Sequence, residues 1–307
     1  MNAIEILKKI RSAIIDLSSI SKQIEDLQQA IGRIEMRQIN LENSNDIHDH
    51  EFKVFSQWGE DGIIQFLIER VPIKNKIFVE FGIGDYTECN TRFLLKNDNW
   101  SGLVIDGSIQ NIKKLRQDPL CWQFNLKSEC AFIKKDNINQ LISKNGISGD
   151  IGILSIDIDG NDYWIWSAID CIQPRIVICE YNSLFGATNK VTTLYSDDFA
   201  INKAHFSGLY WGASIGGFDY LARQKGYSLV GSNTQGNNIF FVRNDVLGDI
   251  PTYTPEQAHV QSQFRISRDQ DGNLSFLDRE AGLEIIADMP LYEVDSGKTI
   301  KVNDLVS

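Results

Sequence analysis

The chain opens on a seven-residue repeat. Apolar side chains recur at Ala3, Ile10, Leu17, Ile24 and Ile31, and again three places later at Ile6, Ala13, Ile20, Leu27, Ile34 and Leu41, with only Gln38 breaking the first series. A stripe of period 3.5 is narrower than the apolar face of a helix lying on a globular core, and its mismatch with 3.6 residues per turn makes helices wind about one another. Residues 1–45 therefore read as a coiled-coil oligomerisation helix. Isoleucine at both seam positions favours three or four strands, the alanines and Leu17 dilute that preference, and a homotrimer is the expected assembly. A polar stretch from Asn43 to His50 reads as the linker that follows.

Beyond the linker, short apolar runs alternate with helical patterns, as in a mostly parallel sheet covered by helices. Strands are predicted at 76–81, 102–106, 130–133, 151–158 and 175–180, with helices at 56–71, 89–96, 109–116, 138–144, 163–169 and 214–225. Two last strands, 227–231 and 238–243, lie only a few residues apart and must pair antiparallel. The fold class is α/β: a Rossmann-like sheet of five parallel strands plus an antiparallel hairpin, over residues 46–250. Residues 251–307 show period-two stretches at 274–277 and 299–302 and read as a small β-rich extension of unassigned role.

Composition narrows the partners. The chain has 307 residues, 42% of them hydrophobic, which suits a substantial core. A net charge of -11 argues against a phosphate-binding face, so no nucleic-acid partner is expected. Five cysteines without a Cys-x-x-Cys pair read as reduced core thiols. No run of about 18 apolar residues marks a transmembrane helix, and the expected location is the cytoplasm.

In an open parallel sheet, ligands bind beyond the carboxyl ends of the strands. The first such end reads Glu80-Phe-Gly-Ile-Gly-Asp-Tyr-Thr87. Gly82 and Gly84 allow a tight turn and a close approach of the backbone to a ligand. The third glycine of a dinucleotide loop is replaced by Thr87, and Glu80, Asp85 and Glu88 surround the loop with negative charge that repels a pyrophosphate. S-adenosylmethionine has no phosphate and carries a sulfonium and an ammonium, so the same acids suit it. Asp106, at the second strand end, can accept hydrogen bonds from both ribose hydroxyls. Asn137, after the third strand, can reach the adenine edge. Asp157 and Asp159 share one side of an extended chain after the fourth strand, and Glu180 and Asn182 do so after the fifth. Facing carboxylates repel unless a proton or cation is shared, and a hard divalent ion such as Mg²⁺ suits these oxygens; hydrogen bonding to the cofactor's amino group is the plainer role. His205, between the fifth strand and the last helix, is a candidate general base.

Several stretches together resemble the FkbM-like branch of class I S-adenosylmethionine-dependent methyltransferases, which modify sugars and related natural products. They are Phe55-Ser-Gln-Trp-Gly-Glu-Asp-Gly-Ile-Ile64, Val79-Glu-Phe-Gly-Ile-Gly-Asp85 with Asn90-Thr-Arg-Phe-Leu94, Trp100-Ser-Gly-Leu-Val-Ile-Asp106, Ser155-Ile-Asp-Ile-Asp-Gly-Asn-Asp-Tyr-Trp164, Glu180-Tyr-Asn182 and Asn237-Asn-Ile-Phe-Phe-Val-Arg243, within residues 52–245. The resemblance implies an O-methyltransferase with S-adenosylmethionine as cofactor and a sugar or glycan hydroxyl as acceptor; peripheral association with a glycan assembly complex stays open. It implies that Gln57 and Glu60 approach the cofactor. Asp157 or Asp159 with Glu180 and Asn182 look like the ligands of metal-dependent catechol-type methyltransferases, although Tyr181 separates the last two and no lysine base follows the fourth-strand acids. On this pattern the metal ligands are Asp159, Glu180 and Asn182, and His205, Asp157 and Asp159 are the catalytic candidates. Two other functions fit the same fold: an NAD-dependent sugar dehydrogenase, which needs the missing third glycine, and a non-catalytic scaffold organised by the coil.

Overall fold

The computed structural model describes residues 3–39, 41, 44–263 and 265–305. Asn43, at the start of the expected linker, lies outside them, as do the side chains of Ala3, Ile6, Ile10 and Ala13 in the expected coil.

The main sheet joins seven strands: β1 (Ile77–Phe81), β2 (Ser101–Asp106), β3 (Leu126–Cys130), β4 (Gly149–Ile156), β5 (Ile172–Glu180), β7 (Tyr227–Ser232) and β8 (Asn238–Arg243). Their order is β3-β2-β1-β4-β5-β8-β7, and only β8 runs against the direction of the other six. This is the expected Rossmann-like sheet of five parallel strands closed by a hairpin. Both faces are buried, and the strands sort their residues by period two. Val79, Phe81, Leu103, Ile105, Leu154, Ile156, Val177 and Cys179 pack under helices Ile138–Ser143, Asp162–Ala168 and Ile215–Lys225. Phe78, Val104, Ile153, Ile176 and Ile178 pack under helices Glu60–Arg70, Arg92–Asp98 and Ile109–Gln117. Continuing that alternation, Glu80, Asp106, Asp157 and Glu180 fall on the second face, at the carboxyl edge.

One strand is displaced from its expected place. The apolar run 130–133 predicts the third strand, but β3 is the polar segment Leu-Lys-Ser-Glu-Cys. β3 is an edge strand with only Leu126 buried, so burial does not demand apolar residues there. The apolar Ala131, Phe132 and Ile133 lie just past it and line a cavity instead.

The extension after residue 250 is not separate from the domain. Its strands β9 (Pro290–Glu293) and β10 (Lys298–Lys301) form a second sheet with β6 (Val191–Thr193), which comes from the connection after β5. Leu291, Ile286 and Val302 share a small core with Leu184, Phe185 and Tyr210.

Residues Ala3–Ile39 form one helix of 37 residues. Its last third lies on the domain: Glu25 pairs with Arg92 and Lys96 at 2.8 and 2.7 Å, Gln29 and Ile39 are buried, and a Cβ on Gly32 would meet Val54 at 2.4 Å. These positions lie opposite the heptad seam. The seam residues Leu17, Ile20, Ile24, Leu27, Ile31, Ile34 and Leu41 are all exposed, Leu27 to 63%. Among the described residues no helix is long and apolar enough to cross a membrane.

Candidate functional site

The loop after β1 is shaped by two glycines in the left-handed region. Gly82 has φ +71°, and a Cβ there would sit 1.5 Å from the Asp157 carbonyl oxygen. Only glycine lets the loop lie against the end of β4. Gly84 (φ +51°) has open space around its Cα, and its N–H donates to Asp106 Oδ2 at 2.9 Å. Asp106 Oδ1 accepts from the Ser108 N–H at 2.6 Å and from Asn111 Nδ2 at 3.4 Å. The second strand end thus holds the first loop in place while its carboxylate still borders a cavity of about 700 Å³, whose walls include Gly82, Gly84, Phe132, Asp157, Asp159 and Phe199.

A second cavity, of about 290 Å³, shares Gly82, Gly84 and Asp157 and adds Gln57, Glu80, Thr87 and Asn238. Glu80 is buried and accepts from the Asn90 and Thr91 N–H groups at 2.9 and 3.2 Å and from the Thr91 hydroxyl. Burial pushes its carboxyl up to about 7, against the pull of those hydrogen bonds. Thr87 is fixed by Asp85 Oδ1, which accepts from its N–H at 3.1 Å. The Lys114 ammonium and the Thr87 hydroxyl hold Asp85 at about 2.

The third group is the set of acids at the ends of β4 and β5. Asp157, Asp159 and Glu180 each present an oxygen, all within 4.8 Å of one another. The turn carrying Asp157 and Asp159 is stapled by buried Asp162, whose oxygens accept from the Ile158 and Gly160 N–H groups, each at 2.8 Å. Asp159 takes a left-handed φ of +56°, which aspartate tolerates better than most residues. Burial, then the charge of Asp159 and Asp162, pushes Asp157 well above the usual carboxylate range; burial, then the charge of Asp157, does the same to Glu180. Glu180 Oε2 has no hydrogen-bond partner. Such a pair is stable with a proton between its members or with a cation against them.

Four of the expected residues lie elsewhere. Glu60, 0% exposed, accepts from Asn233 Nδ2, Asn238 Nδ2 and the Trp58 and Gly59 N–H groups; it stands behind the cavity wall and orients Asn238, which lines it. Asn182 does not join the acids: its Nδ2 donates to the Leu209 and Trp211 carbonyls and its Oδ1 accepts from the Leu184 N–H. Asn137 closes its own turn, donating to the Phe132 carbonyl and accepting from the Lys134 N–H. His205 bonds Ser207 and stacks against Phe206, and it lines neither cavity.

Two residues that sequence reasoning passed over enter the site. Phe132, 66% exposed, borders the larger cavity at the end of β3. Its signal was an aromatic in an apolar run, which resembles a strand. Asn238, at the start of β8 and paired with Glu180, had no signal before the sheet order was known.

No protein-family model matches this chain, and no curated protein matches it. Among solved structures, the chain is similar to the N-terminal domain of EvdMO1 with SAH bound: 11% identity over 69% of this chain and 95% of that one, TM-score 0.39. It is also similar to an S-adenosylmethionine-dependent methyltransferase from Clostridium acetobutylicum, at 10% identity over 60% and 90% of the two chains and a TM-score of 0.38. A putative caffeoyl-CoA O-methyltransferase from Staphylococcus aureus is similar at 13% identity over 60% and 82%, with a TM-score of 0.39. Likenesses this distant leave the geometry of the site to decide what the chain does.

Proposed function

We propose that this chain is an S-adenosylmethionine-dependent O-methyltransferase whose acceptor is a sugar or glycan hydroxyl, with a divalent cation held by Asp157, Asp159 and Glu180. One observation carries the reading. The two cavities at the carboxyl edge are lined by seven carboxylates and, among the described residues, by no lysine or arginine; Asp85, Glu88 and Asp197 are paired with Lys114, Lys53 and Lys134 behind the walls, which leaves Glu80, Asp106, Asp157 and Asp159 facing the cavities without a basic partner. Such walls repel a dinucleotide pyrophosphate and attract a cationic ligand. This favours S-adenosylmethionine over NAD.

The residues fit the cofactor. Asp106 would accept the ribose hydroxyls, Phe132 would cover one face of the adenine, and Glu80 and Asp157 would lie on the side of the ammonium. Bound S-adenosylmethionine supplies a methyl group on positively charged sulfur. The acid trio fits a hard cation, since it offers clustered oxygens with one carboxylate oxygen unpartnered. A cation there would supply positive charge that lowers the pKa of an acceptor hydroxyl. The chain's own part is to hold acceptor and methyl in line and to exclude water, and orientation of this kind is worth several kcal/mol of barrier, roughly 7 to 11 at best. The proton leaving the acceptor hydroxyl has the Asp157 and Asp159 carboxylates within the site, whereas His205 lies outside the cavities.

The exposed seam of the N-terminal helix supports self-association through a second copy of the same repeat, with the opposite face of the helix docked on its own domain.

Calorimetry with S-adenosylhomocysteine, in Mg²⁺ and again in EDTA, tests the cofactor and the metal together. Binding of S-adenosylhomocysteine and not of NAD is the expected result, and the reverse overturns the reading. Transfer of label from methyl-labelled S-adenosylmethionine to a panel of glycans then tests the acceptor.

A further inference from the structure

A third cavity, of about 260 Å³, opens at the same carboxyl edge but on the other face of the sheet. Its floor is the stretch Tyr181 to Leu184 after β5 together with Gly236 and Asn237 before β8, and its outer wall is the C-terminal extension, through Gln261, Ser262, Arg265 and Arg279. It begins one residue beyond Glu180 and one residue before Asn238.

The extension is built onto this edge rather than laid over it. The Tyr181 hydroxyl donates to the Val260 carbonyl at 2.7 Å, the Ser262 N–H donates to Ser183 Oγ at 2.9 Å, and the Gln263 N–H donates to the Gln235 carbonyl at 3.1 Å. A Cβ on Gly236 (φ +74°) would lie 2.5 Å from the Val260 carbonyl, so the two backbones meet where only glycine fits.

The chemistry of this cavity is opposite to that of the two acidic ones. Arg265 and Arg279 border it, and neither guanidinium has a hydrogen-bond or ion-pair partner among the described residues. The single carboxylate in the wall, Asp278, accepts from the Ala281 N–H. Arg279 lies where it is felt inside: its charge, after burial, helps to keep His259 below the ordinary histidine range. Asn237, 1% exposed, closes the floor, with its Oδ1 accepting from Asn233 Nδ2. The groups that open onto the cavity without a partner are two cationic guanidiniums, and they match anionic oxygens.

We propose that this cavity binds the carboxylate or phosphate of an anionic sugar, gripped by Arg265 and Arg279 above a floor that includes Asn237. Under the methyl-transfer reading, on which this assignment of the ligand as acceptor rests, the C-terminal extension selects acidic or phosphorylated glycans by holding a charged group beside the acid trio. Binding itself does not depend on that reading.

The test uses the full chain and direct calorimetry with three probes: glucuronic acid, glucose 1-phosphate and neutral glucose. Glucuronic acid or glucose 1-phosphate should bind at least about tenfold more tightly than glucose, and which of the two is preferred tells carboxylate from phosphate. Arg265→Gln with Arg279→Gln should remove about tenfold or more of that affinity and leave S-adenosylhomocysteine binding unchanged. Asn237→Asp, checked for folding by its melting temperature, should weaken anion binding by placing a negative charge in the floor. Glucose bound as tightly as the anions, or anion affinity unchanged in the double arginine variant, overturns the proposal. Failure of S-adenosylhomocysteine to bind while the anions still bind would instead sink the methyl-transfer reading and leave this site standing.

Discussion

The two halves of the carboxyl edge handle their acids in opposite ways. At the ends of β1 and β2, Glu80 and Asp106 are satisfied by backbone N–H groups and neighbouring side chains, and they hold one loop still while bordering the cavities. At the ends of β4 and β5, Asp157, Asp159 and Glu180 face one another, with one Glu180 oxygen unpartnered. The same residue types thus make a rigid wall in one half and an unfinished site in the other. The difference lies in the supply of donors: Gly84 and Ser108 bring N–H groups to Asp106, Asn90 and Thr91 bring them to Glu80, and Asp162 takes the N–H groups of the second turn for itself. The unfinished half is where a proton or cation belongs.

The largest effect should come from breaking the contact between the halves. Gly82→Ala drives a Cβ into the Asp157 carbonyl at a positive φ, and a loss of about 3 kcal/mol or more in unfolding free energy is expected, with loss of S-adenosylhomocysteine binding. Gly84→Ala, which meets only the left-handed strain, should cost about 1 kcal/mol in the same denaturation experiment. Equal losses would mean that the halves do not depend on the Gly82 approach.

Next come the two kinds of acid. Asp106→Asn should weaken S-adenosylhomocysteine binding by roughly tenfold or more, with or without Mg²⁺. Glu180→Gln should leave metal-free binding within about twofold and abolish any gain in melting temperature from Mg²⁺. A Glu180→Gln protein that still responds to Mg²⁺ places the cation elsewhere.

A smaller effect is the pH dependence. Glu80 and Asp162 rise to about 7 and Asp61 to about 6 by burial, and Asp157 and Glu180 are raised with them. Because the folded values lie above the unfolded ones, the folded state holds more protons, and this contribution is full below the unfolded value of about 4 and lost as pH climbs through about 7. Melting temperature in EDTA should therefore fall from about pH 5 to about pH 8, and Mg²⁺ should restore more of it at the higher pH. A flat profile would mean that the acid trio is not strained. The smallest effect on the site itself should follow Leu27→Glu with Ile31→Glu on the exposed seam: a smaller particle by sedimentation with S-adenosylhomocysteine affinity unchanged.

Much of this was legible before folding. Period two along four apolar runs places Glu80, Asp106, Asp157 and Glu180 at the strand ends, because a buried parallel strand must be apolar until it reaches the edge. The seven-residue repeat at Leu17, Ile24 and Ile31 marks one face of a helix for the same reason. Where the signal failed, a local pattern had two meanings. The run at Phe132 is as apolar as a strand, but the sheet uses the polar segment before it as its edge. Asn137 and Asn182 carry side chains suited to a ligand, and short loops turned them onto their own backbones, where the donors and acceptors were nearer.

The sequence by itself determined the sheet apart from its third strand, the order of acids along its edge and the apolar seam of the first helix, since each follows from periodicity, which is local. Tertiary structure decided the rest: that Glu60 stands behind the wall, that Asp157 rather than Asn182 completes the acid trio, that the first helix docks through Glu25 and Gly32, and that Arg265, Arg279 and Asn237 share one cavity. These depend on which distant segments meet, and burial of apolar surface brings segments together without regard to the polar groups they carry.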